Sequence, residues 1–96
     1  MIELLIAGDT VTIPVDCARP VNRGSVTAGL STARGGPTVH PTLERTLVWE
    51  RGGTIPPLRL FARDLRALFP RGGRVWLVVR YAQQLVATSE VRLVVG

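Results

Sequence analysis

Three features of this 96-residue sequence predict an all-β fold, a single antiparallel β-sandwich of about seven strands spanning 1–96. Apolar and polar residues alternate with a period of two through most of the chain, as half-buried strands require. The alternating runs are short and separated by glycine- and proline-rich turns, the spacing of sandwiches and barrels. One segment alone switches to a helical period, near 62–69.

The elements follow in order. "IELLI" (2–6) reads as a first half-strand, and "AGD" as a bend. "TVTIPV" (10–15) sets Val11, Ile13 and Val15 on one face against Thr10, Thr12 and Pro14. Pro14 places this strand at a sheet edge, where no ladder donor is lost. A turn at 16–24 follows, with Asn22 and Gly24 suited to positive φ. "SVTAGL" (25–30) puts Val26, Ala28 and Leu30 on one face. The stretch 31–41, "STARGGPTVHP", is long for a loop; such loops are functional or mobile, and this one is expected to order when something covers it.

"TLERTLVWE" (42–50) aligns Leu43, Leu47 and Trp49, interrupted by Arg45, with Trp49 assigned to the core. After a turn at 52–54, "PPLRLFA" (56–62) begins with prolines and reads as an edge strand. In "LFARDLRALF" (60–69), Phe61, Leu65 and Leu68 recur at i, i+4 and i+7, opposite Arg59, Arg63 and Arg66. That predicts a short helical turn with Phe61 and Leu68 inward, ended by "PRGG".

The last segment, "RVWLVVRYAQQLVATSEVRLVVG" (74–96), reads as a long hairpin. Its first strand sends Val75, Leu77, Val79 and Tyr81 inward, and Arg74, Trp76, Val78 and Arg80 outward. The returning strand sends Val91, Leu93 and Val95 inward, and Glu90, Arg92 and Val94 outward. "AQQ" lacks the Asn-Gly signature of a two-residue turn, which predicts a connection of about three to five residues.

All twelve basic residues are arginine, and the net charge of +5 is unevenly placed. Between 59 and 80, Arg59, Arg63, Arg66, Arg71, Arg74 and Arg80 face only Asp64, while charges elsewhere cancel. Such clustering favours an anionic partner, either acidic protein or phosphate. Trp76 among these arginines has the composition of an interface hot spot. The predicted interaction stripe is Arg59, Arg63, Arg66, Arg71, Arg74, Trp76, Val78 and Arg80.

Catalytic signatures are missing. The serines lie in no G-x-S-x-G elbow, and one histidine, His40, is present to serve as a base. Cys17, His40 and Asp16 can be drawn as a triad, but a small buried cysteine and a loop histidine explain them more simply. The single cysteine excludes an internal disulfide and a cysteine-rich metal cluster, and no ligand spacing points to any metal. "RGGP" and "RGGR" match neither phosphate-loop pattern. The expectation is a non-enzyme without cofactor or metal.

The final third resembles the immunoglobulin-like and fibronectin type III families. The likeness rests on a corner, Leu68, Pro70 and Gly72, that leads into the aromatic- and valine-rich strand "RVWLVVRYA". A jelly roll or small barrel fits the same strand pattern. A short domain of this kind, beginning at its own Met1 without an export signal, is similar to accessory proteins of phage particles, either capsid-decorating or tail-associated. The resemblance implies a non-catalytic module, virion-borne or cytoplasmic, docking on an acidic protein lattice or on further copies of itself. Open edge strands beside Pro14 suit strand addition in such an assembly. The alternative is nucleic-acid binding, with Trp76, Phe61 and Tyr81 as a stacking groove along the arginines. No stretch approaches the roughly 18 apolar residues of a membrane-spanning helix.

Overall fold

A computed structural model describes residues 1–15, 24–50 and 53–96. In chain order these hold β1 (Ile2–Ile6), β2 (Thr10–Ile13), β3 (Gly24–Ser31), a 3₁₀ turn (Pro41–Leu43), β4 (Glu44–Trp49), β5 (Leu58–Phe61), α1 (Ala62–Leu68), β6 (Gly73–Tyr81) and β7 (Gln84–Val95). The expected turn at 16–24, with Asp16, Cys17 and Asn22, lies outside the described residues save for Gly24, as does Gly52 of the next turn.

The strands form two sheets. One has five strands in the order β1-β7-β6-β3-β4, and the other pairs β2 with β5. The large sheet is mixed, which corrects the wholly antiparallel expectation: β1 runs parallel to β7, with Ile2 opposite Val91 and Ile6 opposite Val95. The cause is the bend after β1, where Gly8 takes φ +69 and the chain leaves for the small sheet. β1 is then free to be completed by the last strand instead of by its sequence neighbour.

Both sheets send their alternate residues into one apolar cluster. Leu4, Ile6, Val26, Ala28, Leu30, Leu47, Trp49, Val75, Leu77, Val79, Val91 and Leu93 come from the large sheet, and Val11, Ile13, Leu58 and Leu60 from the small one. These are the residues that period-two alternation assigns inward, Trp49 among them. Arg45 holds an inward parity in β4, but its Nη1 turns back to the carbonyls of Thr42 and Glu44 at 2.8 Å each. Leu43 is buried from the 3₁₀ turn and not from the strand.

Four residues and one turn differ from expectation. Phe61 and Leu68 are exposed, while Ala62 and Leu65 carry the buried side of α1. Phe61 is the last residue of β5, so strand parity, with Leu58 and Leu60 inward, turns it out before the helix begins. The β6–β7 hairpin closes through two residues, Ala82 and Gln83, at φ +49 and +67. That is the type I′ geometry, adopted here without a glycine or asparagine. Tyr81 and Val95 end exposed, because both residues lie at strand ends beyond the core.

Candidate functional site

Arg74, Trp76, Val78 and Arg80 share the outer parity of β6, as the alternation requires, but they do not form an open stripe. Val78 is only 1% exposed, although it faces away from the core cluster. Its cover comes from the long loop after β3. Gly29, opposite Val78 on β3, has no side chain, and Thr38 lies in the space a Cβ would need. A glycine inside a strand often marks such a close approach.

The loop is held by specific bonds. Ser31 Oγ accepts the Ala33 N–H at 3.1 Å, and the Gly36 N–H donates to the Ala33 carbonyl at 3.0 Å. The Val39 N–H returns to the Leu30 carbonyl at 2.9 Å, closing the loop onto β3. Arg80 then reaches across from β6, its Nη2 donating to the carbonyls of Gly35 at 2.9 Å and Gly36 at 2.8 Å. The Arg34 guanidinium stands 5.7 Å from the centre of the Trp76 ring, leaving that ring half-buried. The loop expected to await a cover is itself the cover.

The remaining arginines separate. Arg59 lies on the outward parity of β5, and Arg63 and Arg66, at i and i+3, share one side of α1. The inner faces of the two sheets meet in one core, so their outer faces point to opposite sides of the molecule. Arg59, Arg63 and Arg66 thus lie on one side, and Arg74, Trp76 and Arg80 on the other. Arg71 occupies the exposed turn between α1 and β6. The sequence places these charges together because residues 59 to 80 run from the small sheet to the large one.

What gathers around the first group is Phe61. The residue is 44% exposed, and the Arg63 guanidinium sits 4.8 Å from the centre of its ring. Arg66 Nη2 reaches the Gly8 carbonyl at 3.4 Å. Gly8, Asp9, Phe61, Arg63 and Arg66 border a depression of about 220 Å³. Thr10 and Thr12 pair with Phe61 and Arg59 across β2–β5 and complete a flat outer surface. The backbone fixes this surface firmly, since the Ala62 N–H donates to the Asp9 carbonyl at 2.9 Å where strand becomes helix. Asp64 is set apart, bordering another depression with His40 and Thr42. Three arginines and an exposed aromatic therefore share their surface with Asp9.

His40 has a structural task. Its Nδ1 accepts the Thr42 N–H at 3.2 Å and lies 2.9 Å from Thr42 Oγ1, capping the 3₁₀ turn. The paper triad's other members, Cys17 and Asp16, lie outside the described residues. Among the described residues, no three His, Cys, Asp or Glu side chains gather as a metal site, and no helix is long and apolar enough to cross a membrane. Comparison with protein-family models, curated proteins and solved structures gave no significant match.

Proposed function

We propose that this chain is a non-catalytic interaction module that docks on an acidic protein surface through Arg59, Phe61, Arg63 and Arg66. The observation that carries the reading is Phe61, a large apolar residue left 44% exposed amid three arginines at a strand–helix junction. Aromatic and arginine side chains are enriched where partners bury surface, and the depression beside the ring offers room for a partner side chain. Arginine also matches carboxylates geometrically, with paired donors.

The strand order supports an immunoglobulin-like reading of the fold. With β2 to β7 taken as strands B, C, C′, E, F and G, the large sheet carries G-F-C-C′ and the small one B-E. The facing sheet is shorter than in that family, with its two strands of four residues each. A subunit decorating a larger particle is one setting that uses a small domain with a single docking face.

Single-stranded nucleic acid is the second reading. Its stacking groove needed Trp76, Tyr81 and Phe61 together, yet Trp76 lies beneath Arg34 on the large sheet, on the opposite side of the molecule from Phe61. The two readings separate in one titration. A short Asp/Glu-rich peptide and short single- and double-stranded DNA are added at about 50 and 200 mM salt. Peptide binding that Phe61→Ala weakens supports the docking face. DNA binding that falls by orders of magnitude with salt, with no peptide binding, replaces it.

A further inference from the structure

Another feature lies at the opposite corner of the molecule, where β6 and β7 begin their pairing. Gly72, at φ +71, has no room for a side chain against the Leu93 carbonyl, and this turn sets the register of β6. That register puts Arg74 directly opposite Arg92 on the outer face of the large sheet. Like charges directly opposed across a ladder repel each other.

Among the described residues little offsets the repulsion. Arg74 Nη1 meets Glu90 Oε1 at 3.9 Å, a long contact made by a side chain 67% exposed. Glu3 is the strand partner of Arg92 on β1, yet among the described residues the Arg92 side chain makes neither an ion pair nor a hydrogen bond. A depression of about 370 Å³ opens beside this pair, bordered by Met1, Gly73, Arg74, Glu90 and Arg92. Gly73, without a side chain, leaves it unobstructed. Backbones of opposed antiparallel residues are about 5 Å apart, so two arginines there can converge on one ligand group.

We propose that Arg74 and Arg92 form an oxyanion site, taking a phosphate or carboxylate group between their guanidinium planes. Guanidinium donors suit both groups, because each presents two acceptor oxygens in a matching plane. The site is independent of the Phe61 face, which lies on the other side of the core, so either can fail alone.

The test is a titration of the whole chain with inorganic phosphate, with chloride added to hold ionic strength constant, followed by ¹H–¹⁵N backbone spectra. Saturable shifts at Gly73, Arg74 and Arg92 are expected, together with at least about tenfold weaker binding in Arg92→Gln. Both arginines are exposed, so Arg92→Gln and Arg74→Gln should keep the dispersed spectrum of the folded chain. Acetate in place of phosphate distinguishes the sources. Saturation by acetate at the same signals assigns the site to carboxylates, and saturation by phosphate alone assigns it to phosphate groups. Non-saturating shifts spread equally over Arg59, Arg63 and Arg66, or undiminished binding in Arg92→Gln, overturn the site.

Discussion

Replacing Arg80 with methionine should unlatch the loop over β6. Methionine keeps most of the apolar stem and removes the two bonds from Nη2 to the carbonyls of Gly35 and Gly36. A hydrogen bond to a charged group contributes about 1.5–3 kcal/mol. Both bonds come from one nitrogen, and the released carbonyls can be hydrated, so the loss should be about 2 kcal/mol and not twice a single bond. Loop opening is a local event with its own free energy, so this loss raises the open population about 30-fold. Trypsin reads that population directly, because the Arg34–Gly35 peptide bond lies within the latched turn. Cleavage there should accelerate by a similar factor while opening remains fast relative to cutting. Fluorescence gives a second reading: Trp76 loses its Arg34 cover, whereas Trp49 stays buried. Unchanged cleavage after Arg34, or equal acceleration at every arginine, would refute the latch.

Gly29→Ala places a methyl group 2.9 Å from both Thr38 Oγ1 and the Leu43 carbonyl oxygen. Although alanine is the better residue in a strand, the clash should lower stability by about 1–3 kcal/mol, seen as a lower denaturant midpoint. A higher midpoint would mean that the loop does not press on Gly29. Gln83→Gly with Ala82→Asn relieves two positive-φ residues and should stabilise by about 1 kcal/mol, raising the melting temperature by roughly 4–8 °C. No gain would argue against the two-residue turn. Leu65→Ala should cost about 2–5 kcal/mol and Phe61→Ala less than about 1 kcal/mol; the reverse order would restore the helical phase first read from the sequence.

The parts of the fold legible in the sequence are those that period two determines. Val26, Ala28 and Leu30, or Val75, Leu77 and Val79, must face one side of any strand they occupy, whatever surrounds it. The helix phase was misread because Phe61 falls at a junction where two periods overlap, and the strand's parity prevails there. The hairpin turn carried no composition signal, since alanine and glutamine take positive φ only under the constraint of the flanking ladder. The mixed sheet was hidden for a different reason. Pairing of the first strand with the last depends on the whole chain and on no local pattern.

The site was legible as charge but not as place. Alternation puts Trp76 and Val78 outward, and they are outward, yet a long-range event decides whether outward means exposed. Gly29 was the available clue, a glycine amid residues that otherwise favour strands. The covered stripe also sharpens the argument for the other side. This chain extends a loop across β6 and spends Arg80 on holding it, leaving Val78 sealed from water. Among the described residues no loop is latched over Phe61 in this way; the Arg63 guanidinium faces its ring, and the residue stays 44% exposed. A part-exposed ring framed by cations, on a strand–helix junction that a backbone bond from Ala62 to Asp9 holds, fits a surface kept ready for a partner.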